Sequence, residues 1–100
     1  MPAAQVFKAL ADDTRRAIVE DLAAGPLPVQ RIAQRFAMSR PAVSKHLRVL
    51  ADCGLVTAAK AGKETLYALE AAELEAVRQW IDRFWRGRLE TLKHLSETDA

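Results

Sequence analysis

Apolar residues recur at helical spacing through most of this chain and give way once to a pair of short strand-like runs. Val6, Phe7 and Leu10 share one face, which predicts a short helix from about Ala3 to Leu10 that ends near Ala11-Asp12-Asp13. Asp12 or Asp13 offers a carboxylate to the free N–H groups at the start of a second helix, whose buried stripe reads as Ala17, Ile18 and Leu22. Gly25-Pro26 stops that helix, because glycine accepts the left-handed conformation past a helix end and proline blocks continuation. From Val29 to Phe36, an inner face of Val29, Ile32, Ala33 and Phe36 opposes an outer face of Gln30, Arg31, Gln34 and Arg35. After Ala37-Met38-Ser39, a fourth helix from Arg40 to about Asp52 buries Val43, Leu47 and Leu50. Ser39 is suited to cap it, and Pro41 falls in the first turn, where a missing N–H is harmless.

Gly54 supplies the next turn. Leu55 to Lys60 and Thr65 to Leu69 then read as two strands joined by Ala61-Gly62-Lys63-Glu64. A lone hairpin is marginal in water, so a side carrying Val56, Leu66 and Leu69 is expected to pack on the helices. The last segment, Ala71 to about Leu95, sets Leu74, Val77, Ile81, Phe84, Leu92 and Leu95 at near-heptad spacing, with Trp80, Trp85 and Leu89 beside them. That apolar arc is too wide for one neighbour, which predicts a second subunit over residues 71–95. Val6, Phe7, Leu74, Val77, Trp80, Ile81, Phe84 and Trp85 are the expected contacts between subunits.

One hundred residues, half of them apolar, suffice for a single domain spanning 1–100 with one core. Aromatic residues are few, and the excess of Leu and Ala favours a mostly α fold with a small β-hairpin. No apolar run approaches a membrane span, and the N-terminus Met1-Pro2-Ala3-Ala4-Gln5 lacks the features of a secretory signal. A cytoplasmic protein with no membrane partner is expected. The single thiol, Cys53, forms no internal disulfide and no Cys-x-x-Cys site, which suits a reducing compartment. It is expected to pack near the end of the fourth helix.

Net charge is only +2, but its distribution is uneven. Between Leu27 and Lys63, seven basic residues face the single acid Asp52, while the rest of the chain carries eight basic residues against twelve acidic ones. A basic middle third between acidic flanks suggests a face for a polyanion.

Two short helices joined by about three residues are a helix-turn-helix, whose second helix enters the major groove of DNA; a hairpin with a basic tip directly after it is a wing. With Val43, Leu47 and Leu50 inward, Arg40, Pro41, Ser44, Lys45 and Arg48 form an outward stripe. Arg40 or Arg48 has the fork geometry for guanine, Ser39 and Ser44 can bond a base or phosphate, and Ala42 suits a thymine methyl. His46 sits between the inner and outer sides, where it can pack, cap or touch a phosphate. Gln30, Arg31, Gln34 and Arg35 are candidates for backbone contacts from the preceding helix, and Lys60 and Lys63 for phosphate contacts from the wing. Nothing in the chain points to an enzyme: it has no phosphate-cradling glycine loop, and Cys53, His46 and His94 form no nucleophile pattern.

Three runs carry a family resemblance: Ala9-Leu10-Ala11-Asp12-Asp13-Thr14-Arg15-Arg16-Ala17-Ile18, then Met38-Ser39-Arg40-Pro41-Ala42-Val43-Ser44-Lys45-His46-Leu47-Arg48-Val49-Leu50, then Cys53-Gly54-Leu55-Val56. Together they resemble the ArsR-type winged helix-turn-helix repressors, and the match extends over essentially the whole chain. The resemblance implies an α-α-α-α-β-β-α order, dimerisation through the first and last helices, and repression at an operator with dyad symmetry. Metal-sensing members place thiols at the start of the third helix, where this chain has Leu27-Pro28-Val29-Gln30, or paired His and carboxylate groups on the last helix. Asp82 and His94 are twelve residues apart, too far along one helix to be neighbours. The Trp80, Phe84-Trp85 and Arg88-Leu89 pattern resembles the non-metal branch, so neither metal nor cofactor is expected. Glu64 stands at the wing where many members have a basic residue. A metal- or small-ligand-responsive repressor, its effector unknown, and a protein-binding winged helix without DNA are the alternatives; the basic stripe speaks against the last.

Overall fold

The computed structural model describes residues 2–98; residues 1, 99 and 100 of the expected 1–100 domain lie outside them. Helices α1 (Ala4–Leu10) and α2 (Asp13–Leu22) meet at a joint that the acidic and basic residues between 12 and 16 close from both sides. Asp12 caps α2 by accepting the Arg15 backbone N–H at 2.9 Å. Arg15 and Arg16 turn back onto α1: Arg15 Nε and Nη2 donate to the Ala9 and Lys8 carbonyls at 2.7 and 3.1 Å, and Arg16 Nη1 to the Leu10 carbonyl at 2.7 Å. The orphan N–H groups of one helix and the orphan carbonyls of the other are thereby satisfied together.

The chain continues through β1 (Leu27–Pro28), α3 (Val29–Phe36), α4 (Arg40–Asp52), β2 (Val56–Ala61), β3 (Glu64–Leu69) and α5 (Ala71–Thr98). This is the expected order with one strand added. The antiparallel sheet runs β1-β3-β2, with Leu27 opposite Tyr67 and Pro28 opposite Leu66. A two-residue strand containing proline gives no periodic signal, and Pro28 is tolerated because β1 lies at the sheet edge and leads straight into α3.

Both helices of the helix-turn-helix end in the same motif. After α3, Ala37 takes φ 51°, its N–H reaches Gln34 O and that of Met38 reaches Ala33 O at 3.1 Å. After α4, Gly54 takes φ 84°, and Leu55 N–H reaches Leu50 O at 2.9 Å. Gly62, at φ 66°, opens the two-residue hairpin turn between Ala61 and Glu64, a shorter loop than the four residues expected.

Ile18, Ile32, Val43, Leu47, Leu50 and Leu55 are fully or almost fully buried and join α2, α3 and α4 to the sheet. In α2 the buried positions are Ile18, Val19 and Leu22, whereas Ala17 lies at the margin, half-buried. The register also corrects the inner face of the hairpin. Val56 opposes Leu69 and Ala58 opposes Tyr67, so Tyr67 and Leu69 pack on the core with Leu27, while Leu66, opposite Ala59, points to the other side of the sheet.

Leu74 and Val77 lay the first turns of α5 against this core. Trp80 stands edge-on to Phe7 at 5.1 Å and to Phe84 at 4.9 Å. Beyond it α5 runs clear of the body. The molecule measures 65 × 23 × 23 Å, with a radius of gyration of 18.1 Å, against about 13 Å for a compact chain of this length.

Candidate nucleic-acid interface

Three buried side chains fix how α4 is rolled. With Val43, Leu47 and Leu50 at most 1 % exposed, the opposite side presents Pro41, Ser44, Lys45 and Arg48 around one shallow concavity. Ser39 Oγ accepts the Ala42 N–H at 3.3 Å and holds the first turn of α4. Arg40, in that turn, is directed toward α3, where its Nη2 donates to Gln30 Oε1 at 2.9 Å. The Gln30 Nε2 in turn donates to Glu64 Oε1 at 3.1 Å. A row of side chains therefore runs from the start of α4 across α3 to the wing.

The other basic residues divide into two groups. Arg35 is held by Asp21 at 2.5 and 2.9 Å, and this hydrogen-bonded guanidinium keeps the Asp21 carboxyl below its usual pKa. Among the described residues, no acid pairs with Arg31, Lys45, Arg48, Lys60 or Lys63, all of which are exposed. Unpaired cations thus cover α4, the outer side of α3 and the hairpin, while Asp52 sits at the far end of α4.

Ser39, Arg40, Pro41, Ser44, Lys45 and Arg48 are all exposed along α4, as the sequence suggests. Ala42 is half-buried. His46 departs from that set: it is half-buried and turned toward α2, with Nδ1 3.9 Å from Asp12 Oδ2. Asp12 has its pKa lowered first of all by the Arg15 N–H that it accepts. The Gln30–Glu64 contact, between residues 34 apart in sequence, has no local signature; it follows from β1 pairing with β3, which sequence periodicity does not show.

The expected subunit contacts also separate. Val6 is fully buried in the chain's own core and so cannot face a second copy. Phe7 lies against Trp80, and Leu74 and Val77 pack on the core. Ile81, Phe84 and Trp85 are 42, 60 and 58 % exposed, and the same face continues through Leu89, Leu92 and Leu95. At 100° per residue these six fall within an arc of about 140° that also contains Leu74 and Val77. One apolar stripe is covered by the body over its first turns and, among the described residues, by nothing thereafter.

Among the described residues, no three His, Cys, Asp or Glu side chains converge as metal ligands would. Cys53 is half-buried with Sγ 3.4 Å from the Leu50 carbonyl. Arg78 binds Glu75 at 2.5 and 2.9 Å and Asp82 at 2.6 Å, and the guanidinium lowers the Glu75 pKa. No described helix is long and apolar enough to cross a membrane.

Comparison with known proteins gives consistent results. Residues 10–58 match the model of a helix-turn-helix domain family. The HTH-type transcriptional regulator Rv2034 of Mycobacterium tuberculosis is 45 % identical over 96 % of this chain and 90 % of its own length. Among solved structures, an ArsR-like transcriptional regulator from Rhodococcus sp. RHA1 superposes with a TM-score of 0.75 at 37 % identity, covering 92 % of this chain and 90 % of that one. The homodimeric winged helix-turn-helix DNA-binding domain of a possible ArsR-family regulator from Mycobacterium bovis gives 0.67 at 34 % identity, covering 80 and 77 %.

Proposed function

Because this chain belongs to the ArsR family of winged helix-turn-helix transcriptional regulators and is not an enzyme, we propose that it is a cytoplasmic homodimeric repressor of an inverted-repeat operator. Helix α4 enters the major groove, the hairpin lies along the flanking backbone, and α5 joins two copies. The observation that carries this reading is the exposed stripe of Pro41, Ser44, Lys45 and Arg48, whose two cations have no acidic partner among the described residues. Unpaired guanidinium and ammonium groups on one exposed helix face suit phosphates and guanine edges. Arg31, Lys60 and Lys63 extend the same charge over the adjoining backbone. A dimer with a two-fold axis places its reading helices on half-sites about 34 Å apart, and a protein seated there blocks a promoter.

The donor set favours repression without a metal. Leu27-Pro28-Val29-Gln30 offers no thiolate, and Cys53 is the one cysteine. Fluorescence anisotropy against DNA from upstream of the protein's own gene, or against sites selected from a random library, tests the reading. Saturable binding that weakens steeply with salt is expected, with an affinity unchanged by zinc. Absent or salt-insensitive binding overturns DNA recognition, and release by zinc overturns the metal-free form.

A further inference from the structure

The row formed by Arg40, Gln30 and Glu64 goes beyond the general DNA reading, on which it rests. A glutamine amide has one acceptor side and one donor side. Here the Gln30 oxygen faces Arg40 and its NH2 faces Glu64, so the two partners together fix which way the amide points. All three side chains are exposed, so the row contributes little to stability. Its effect is on direction. Arg40 is long and rotamer-rich, and a guanidinium reads a base edge only when its fork is oriented. Without an acceptor at residue 64, the Gln30 amide is free to rotate and to turn its NH2 toward Arg40, where two donors oppose each other.

We propose that Glu64 is a specificity-determining positioning residue: acting through Gln30, it orients the Arg40 guanidinium for base reading, while its negative charge weakens the wing's hold on DNA of arbitrary sequence. The two actions separate chemically. Glu64→Gln keeps an oxygen that can accept from Gln30 and removes the charge; Glu64→Ala removes both. Because a like charge near a phosphate costs a modest amount in water, each variant should bind non-operator DNA about three- to tenfold more tightly than the parent.

The experiment measures affinity for the operator, for every single-base variant of one half-site, and for non-operator DNA, with the full chain. Glu64→Ala and Gln30→Ala should each flatten the preference at the same one or two base pairs by about fivefold or more. The double variant should be no flatter than either, since both act on one group. Glu64→Gln should keep the preference while still binding non-operator DNA more tightly. Unchanged preference in Glu64→Ala overturns the positioning role, as does simple addition of the two effects. Unchanged non-operator affinity in Glu64→Gln overturns the role of charge. A parent protein that binds no DNA overturns the reading beneath it, a result distinguishable from either.

Discussion

Arg48 and Lys63 carry the same formal charge on the same side of the molecule, but they are placed for different work. Arg48 projects from α4, between a cap at Ser39 and a buried face at Leu47 and Leu50, so its fork is presented by a rigid element. Lys63 sits in the hairpin turn beside Gly62, exposed and at the end of a flexible stem. A planar fork on a fixed helix suits a base edge, and a point charge on a turn suits a phosphate. Arg48→Ala should therefore cost about 1–3 kcal/mol of operator affinity and relax preference at one base pair. Lys63→Ala should weaken binding to all sequences alike and lower the slope of log affinity against log salt by about 0.9. A salt titration of both variants on operator and non-operator DNA separates them. On α4 the outward side chains are legible in the sequence, because the three-four repeat of buried Val43, Leu47 and Leu50 dictates which positions face out. His46, which the repeat places between the inner and outer sides, is half-buried there, with Asp12 as its neighbour.

Elements that repeat every three or four residues announced themselves, and those held by distant pairing did not. All five helices were legible from their apolar spacing, and the caps at Asp12 and Ser39 from the residue types that accept backbone N–H groups. The two-residue strand β1 was not, and with it went the sheet register, which put Tyr67 inward in place of Leu66. The capping of α1 by Arg15 and Arg16 was equally silent, because long basic side chains on a helix surface read as solvated. The turn between α3 and α4 holds a further surprise in Ala37, the only described non-glycine residue with positive φ, at 51°. A Cβ in the left-handed region costs about 1–2 kcal/mol, while glycine adds about 0.4–1 kcal/mol of unfolded-chain entropy. Relief of strain is the larger effect, so Ala37→Gly should stabilise the fold by about 0.5–1 kcal/mol, measured by urea denaturation. A destabilised variant would mean that the alanine methyl makes packing contacts worth more than the strain.

For the molecule as a whole, the question is why a chain of this size sends half of its longest helix away from its own core. Leu74 and Val77 show what the stripe on α5 does when it is covered, and Ile81 through Leu95 show the same stripe uncovered. Arg83, Arg86, Glu90 and Lys93 lie outside this stripe along the same turns, while Arg88 falls within it, so the exposed helix is amphipathic with one cation set into its apolar face. A second copy supplies an identical stripe, and an antiparallel or crossed pair of such helices buries both at once around a two-fold axis. The body's contribution to such a contact is narrower than the sequence alone suggested, because Val6 is committed to the core and Phe7 to Trp80. On the proposed dimer, Trp85 and Leu89, both exposed, are the residues expected to carry assembly. Trp85→Ala should weaken the dimer by at least about 2 kcal/mol, as a buried aromatic anchor does, and the pair Trp85→Ala with Leu89→Asp should give a folded monomer in sedimentation at micromolar concentration. Because both substitutions lie far from α4, the monomer should keep its affinity for an isolated half-site yet lose about 10²–10⁴-fold on the full inverted repeat, where two linked helices bind as one. A monomer that bound the full site as tightly as the parent would show that recognition does not need the pair, and the exposed stripe on α5 would then belong to some other partner.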